Sequence, residues 1–167
     1  MNNTINLENA HHVTLPNGLR AMLCHTPEAS ESFVSMAVRA GHFYDPNDCQ
    51  GLAHLLEHML FMGSRHLPKP NAINGFIEQH GGTINAWTGT EYTNYHFNCS
   101  GDAIAQTLPA FADMLRQPLF EEDALTNEIK NIHAEFEFKK KDDLRRLYQI
   151  HKETCNPEHP FAKFSVG

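Results

Sequence analysis

Gly51-Leu52-Ala53-His54-Leu55-Leu56-Glu57-His58-Met59-Leu60-Phe61-Met62-Gly63 is the stretch from which the rest of the chain can be read. At about 100° per residue, Leu52, Leu55, Leu56 and Met59 gather on one face with Ala53, Leu60 and Met62 beside them, while His54, Glu57, His58 and Phe61 take the other. A helix apolar on nearly every side is expected to be buried, and Gly63 suits the left-handed cap that ends it. A His-Glu-His stripe in such a helix needs polar partners that water does not supply. A zinc ion is one such partner. Residues four apart stand one turn apart, so the imidazoles of His54 and His58 can reach a common ion at about 2.0–2.1 Å. Glu57 lies in the same arc and is placed as a general base for a water that the metal acidifies.

A catalytic zinc takes a further protein ligand and keeps one position open, so another element must contribute. Leu125, Glu128, Ile132 and Glu135 recur at helical spacing, with Ile129 and Phe136 alongside, which predicts a second helix with both glutamates on its buried stripe. One can ligate the ion while the other hydrogen-bonds a ligand histidine, and spacing alone does not choose between them. The plainer alternative makes Glu57 and Glu128 surface carboxylates and His58 a cap, which fits poorly with these apolar surroundings. Other histidines, including His25, His42, His66 and His80, have no partner at ligand spacing and read as structural or solvated.

Working outward, His12–Leu15, Pro16-Asn17-Gly18 and Leu19–His25 read as strand, tight Asn-Gly turn and strand, and Ser32–Arg39 alternates as a third strand. Beyond the central helix, Pro70–His80 predicts a second helix, and Thr83–Thr88 and Tyr92–Ser100 predict strands joined by a short turn. Asp102 is the expected N-cap of a helix carrying Ile104, Leu108, Phe111 and Leu115, with Pro109 expected to kink it or delay its start. Glu121 to about Cys155 is helical, with a break expected near Lys141. The order of elements implies an α+β fold: a mixed, mainly antiparallel sheet covered by helices. With no internal repeat or linker, residues 1–167 read as a single domain.

The formal charge of -7 and the confinement of basic clustering to Lys139–Arg146 argue against nucleic acid as a partner; that run reads as a solvated helix face. The polar start, Met1–His12, and the lack of a long apolar run predict neither export signal nor membrane anchor. Cys24, Cys49, Cys99 and Cys155 form no Cys-x-x-Cys pair, which suits reduced thiols in the cytoplasm; a periplasmic location would require an export signal outside this sequence.

The central stretch, extended through Ser64, closely resembles the active-site segment of the pitrilysin/insulysin family of zinc metallopeptidases. Asn85-Ala86-Trp87-Thr88 with Glu91-Tyr92-Thr93-Asn94-Tyr95-His96-Phe97 resembles that family's substrate-binding edge strand and its hairpin partner. Asn156-Pro157-Glu158-His159-Pro160-Phe161, with Lys163 and Phe164, is similar to a segment of the long-chain, pitrilysin-like branch. Together these cover roughly His12 to Gly167. The resemblance implies a zinc metalloendopeptidase acting on peptides or small polypeptides with one Zn2+ per chain. It implies His54, His58 and Glu135 as ligands, Glu57 as catalytic base and Glu128 as an acidic support. Asn85, Ala86 and Thr88 would pair with an extended peptide, and Trp87 and Tyr148 would line the pocket beyond the scissile bond, although Trp87 fits a core position equally well.

Members of that branch are far longer, with two halves that close on the substrate. The comparison implies that this sequence is a fragment, incomplete at the C-terminal end of the domain and lacking the C-terminal domains that would be its partners. A non-catalytic zinc-binding or structural role is the competing expectation. An unpaired sheet edge would then invite a homodimer.

Overall fold

A computed structural model describes residues 10–166, so most of the polar start expected at Met1–His12 lies outside the described residues. The described residues form two compact units, one ending at Ser30 and one beginning at Glu31. The first is a hairpin of β1 (His11–Thr14) and β2 (Arg20–Leu23), with Thr14 opposite Arg20. Leu15 N donates to Leu19 O at 2.8 Å and Gly18 N to Leu15 O at 2.9 Å, with Gly18 at φ 85°. The loop is thus a turn closed by one left-handed glycine, and Asn17 does not share the positive φ expected of a tight Asn-Gly hairpin.

The second unit opens with β3 (Glu31–Val38) and later adds β4 (Ile84–Thr88) and β5 (Thr93–Ser100). Their order is β3-β5-β4, and both pairings are antiparallel, Val34 facing Phe97 and Ala86 facing Tyr95. The α+β expectation holds, with every described strand pairing antiparallel. Alternation sends Thr93, Tyr95, Phe97 and Cys99 inward on β5 and Val34 and Met36 inward on β3.

Five helices accompany this sheet: α1 (Leu52–Leu60), α2 (Ala72–Gln79), α3 (Ile104–Arg116), α4 (Glu122–Lys139) and α5 (Asp143–Glu153). α2 and α3 close over the core, where Ile73, Ile77, Phe111 and Met114 meet Phe97 and Cys99; the rings of Phe97 and Phe111 are 5.0 Å apart. α1 packs between β4 and α4, which places the two motif helices side by side.

Several local expectations change. Ala103, within a 3-10 turn spanning Gly101–Ala103, precedes α3, and the Asp102 side chain makes no capping bond. Pro109 lies inside α3, whose start is not delayed; the proline forgoes the amide that would bond the Ala105 carbonyl. The predicted break near Lys141 is sharp, because Asp142 Oδ1 accepts from Leu144 N at 2.9 Å and Arg145 N at 3.0 Å and so starts α5. Finally, α1 is not buried all round: Met59 and Leu60 are, but Leu52 and Leu56 stay 42% and 41% exposed. On α4, Glu128 and Ile132 are buried while Leu125 and Ile129 face outward. The apolar stripe expected there is narrower than its sequence suggests.

Candidate metal centre

The N-terminus of α1 is fixed from outside the helix. Asp45, buried, accepts from Gly51 N through Oδ2 and from Ala53 N through Oδ1, both at 2.8 Å. A carboxylate suits this place because the first-turn amides lack helical partners and carry the positive end of the helix dipole. Lys163 donates to Phe43 O at 2.9 Å and Asp45 O at 2.6 Å, tying the Asn156–Phe164 motif to the same corner.

From this anchored helix His54 and His58 project one turn apart, their rings 4.7 Å between centroids and nearly perpendicular. His54 Nδ1 lies 2.7 Å from Val166 O, and because a carbonyl only accepts, this nitrogen carries the proton. His58 Nδ1 lies 3.0 Å from Glu128 Oε2, where a carboxylate accepts in the same way. Both Nε2 lone pairs are therefore free on the inner side. Glu135 Oε2 lies 3.7 Å from His54 Nε2 and 3.6 Å from His58 Nε2. Ligand atoms around a tetrahedral zinc lie about 3.3–3.5 Å apart, so the three donors are close to a metal-ready arrangement.

Outer contacts hold the donors. Glu128, buried, uses Oε1 to accept from Asn131 Nδ2 at 2.8 Å and Oε2 to accept from His58 Nδ1 at 3.0 Å, so each of its oxygens has a partner. Glu135 Oε1 pairs with Lys139, one turn on, leaving Oε2 toward the histidines. Burial pushes the Glu135 carboxyl upward, but the hydrogen bond and the charge of Lys139 hold it below the ordinary glutamate value.

Glu57 does not join the donor cluster; its Oε2 receives the Thr88 hydroxyl at 2.5 Å. Asn85 Oδ1 accepts from Ala86 N at 2.8 Å on the edge strand β4. Trp87 and Asn85 lie on the face of β4 opposite to Thr88, and Tyr148 packs on Phe161 in an edge-to-face contact at 5.8 Å. Among the described residues no hydrogen bond or ring contact joins Trp87 or Tyr148 to the metal-facing group. A separate cavity of ≈ 430 Å³ is lined by His66, Phe76, Pro109, Asp113 and Arg116 and by none of the metal-facing residues. The donor cluster therefore sits outside that cavity.

Sequence reasoning missed Asp45, Val166 and the Thr88–Glu57 bond. Asp45 alone left a signal, an acid shortly before a helix that lacks its own capping residue. Val166 acts through a backbone carbonyl, which residue type does not reveal.

Residues 20–162 match the family model described as Insulinase (Peptidase family M16). The chain is 38% identical over 153 residues to human insulin-degrading enzyme, covering 92% of this chain and 15% of that protein. It is 37% identical over 155 residues to the A-factor-processing enzyme of Saccharomyces cerevisiae, covering 93% of this chain and 15% of that one. It superposes on the crystal structure of pitrilysin with a TM-score of 0.88 and 32% identity, over 100% of this chain and 18% of that one. The chain thus spans about 15% of the length of such relatives.

Proposed function

The chain belongs to the insulinase family of peptidases, M16, and from that premise we propose that it carries the hydrolytic centre of a zinc metalloendopeptidase acting on peptides or small polypeptides. The observation that carries this reading is the convergence of His54 Nε2, His58 Nε2 and one Glu135 oxygen, all within 4.8 Å of one another, with both Nδ1 atoms already committed elsewhere. Two imidazoles and a carboxylate suit zinc, and when bound the ion would acidify a water and polarise a peptide carbonyl.

The remaining chemistry belongs to the protein. Glu57 takes the proton from the attacking water and delivers it to the departing amine nitrogen. Val166 and Glu128 keep the imidazole lone pairs turned inward, so the donors need little rearrangement. Among the described residues no strand covers the outer edge of β4, and an extended peptide pairs there as the Ala86 amide gives up its bond to Asn85 Oδ1, a mode that reads shape more than sequence.

A second reading is zinc binding without turnover, in which Glu57 keeps the place it has here, bonded to Thr88 and outside the donor cluster. Elemental analysis paired with hydrolysis of a quenched peptide separates the two. Zinc retained in Glu57→Gln with hydrolysis abolished supports the peptidase reading; undiminished turnover in that variant sinks the role of Glu57. Zinc without turnover in the parent chain favours the second.

A further inference from the structure

Thr88 belongs to two structures at once. Asn98 N donates to Thr83 O at 3.0 Å and Gly89 N to Tyr92 O at 2.8 Å, so the odd-numbered residues of this stretch turn their backbone groups to β5. In an antiparallel ladder the alternate residues, Ile84, Ala86 and Thr88, then present theirs to the open edge. The same alternation points their side chains toward α1, and there Thr88 Oγ1 donates to Glu57 Oε2. Its cross-strand neighbour Thr93, buried, donates to Ala40 O at 2.7 Å and lies 3.4 Å from Thr88 Oγ1, so the short bond to Glu57 is the stronger contact of the Thr88 hydroxyl.

We propose that Thr88 is a positioning residue that couples the seating of an extended peptide on the open edge of β4 to the orientation of the Glu57 carboxylate. The inference rests on the peptidase reading and adds to it a residue whose side chain acts through the base. A backbone bond from a peptide to Thr88 and a side-chain bond from Thr88 to Glu57 share one α-carbon, so the register of the peptide and the place of the carboxylate are set together. A glutamate released from this bond regains its side-chain rotations, and a displacement near 1 Å at a reacting centre costs about 10²-fold in rate.

The test uses the zinc-loaded 167-residue chain and its Thr88→Val, Thr88→Ser and Glu57→Gln variants, with metal content and circular dichroism matched. In protein labelled with 13C-carboxyl glutamate, the Glu57 resonance is the one missing from Glu57→Gln. Thr88→Val should move it and Thr88→Ser should leave it in place. A peptide whose scissile amide is replaced by a non-hydrolysable linkage should shift it further in the parent and in Thr88→Ser only. Binding of that peptide is followed by the fluorescence of Trp87, the single tryptophan, so that seating is read apart from the carboxylate. In turnover, Thr88→Val should lose about 10²-fold in kcat, and Thr88→Ser should restore it. A Glu57 resonance unmoved by Thr88→Val overturns the proposal, as does a serine variant that behaves like valine. Absence of hydrolysis in the zinc-loaded parent would sink the peptidase reading instead, and the resonance would still decide the coupling.

Discussion

Glu128 and Lys152 are both buried and charged on solvent-rich helices, and the difference between them is their partners. Glu128 has a partner for each oxygen, Asn131 and His58, and by accepting from His58 Nδ1 it turns the other ring nitrogen toward Glu135. Glu128→Gln keeps the shape and removes the charge, so zinc affinity measured against a chromophoric chelator should fall about 10–100-fold. Affinity unchanged would mean that His58 needs no carboxylate to hold its tautomer. Lys152 has 0% exposure and, among the described residues, no hydrogen-bond partner for Nζ, which lies 5.8 Å from the ring faces of both Tyr148 and Phe161. Burial holds its amine below the ordinary lysine value of 10.5. Because the folded value is depressed, the unfolded chain binds more protons below that value, and stability should rise as pH climbs toward 10.5. Lys152→Met should be more stable at pH 7 by about 1 kcal/mol, since the desolvation cost exceeds an attraction to two aromatic faces. Thermal melts at neutral and alkaline pH test both statements, and the methionine variant should lack the alkaline gain.

Elements are joined by a few carboxylates whose role no spacing rule displays. Asp113 on α3 accepts from Ser64 Oγ at 2.6 Å and His66 N at 3.0 Å, and its other oxygen meets His66 Nδ1 at 2.8 Å. This clamps the loop after α1 to α3. Burial pushes the Asp113 carboxyl upward, but the bonds from Ser64 and from the backbone and ring of His66 outweigh it and leave it below its ordinary value of 3.8. With the folded value depressed, the stabilisation is complete above the unfolded value and drains as pH falls through the folded one. Asp113→Asn should lose about 1–3 kcal/mol at neutral pH and show a flatter decline below about pH 4, read from denaturant melts. An acid limb as steep as the parent's would place that sensitivity elsewhere. In sequence His66 is a solitary histidine, since Asp113 is far along the chain. By contrast His54, Glu57, His58, Glu128 and Glu135 were legible because helical periodicity places residues of one face without knowledge of the fold. The hairpin of β4 and β5 was legible for a like reason, its residue types and short turn being local. Val166 beside His54 and Lys163 beside Asp45 depend on how the chain returns, which periodicity does not carry.

At the scale of the second unit, β3 has β5 on one side only, and β4 likewise, so both ends of the three-stranded sheet are open among the described residues. Apolar side chains also face outward, Leu52 and Leu56 on α1, where periodicity alone overstated burial, and Phe138, Leu144 and Leu147 near the α4–α5 junction. Open edges of this kind pair with other strands, and the proposed homodimer would use one of them. The two edges have opposite consequences. Self-pairing through β4 would cover the strand that faces Glu57 and compete with a peptide, whereas pairing through β3 would leave that strand free. The alternation on β5 that turns Asn98 toward β4 turns Phe97 and Tyr95 toward β3, so Val34 and Met36 bond inward and Phe33, Ser35 and Ala37 offer their amides outward. Ala37→Pro removes one outward amide without costing a ladder bond, and Ala86→Pro does the same on β4. Sedimentation across a concentration series should show a dimer in the parent chain. Its loss in Ala37→Pro but not in Ala86→Pro would assign β3, and such a dimer should bind an extended peptide as well as the monomer does. Loss in Ala86→Pro alone would assign β4, with peptide and self-association mutually exclusive. A parent that stays monomeric at the highest attainable concentration removes the dimer altogether.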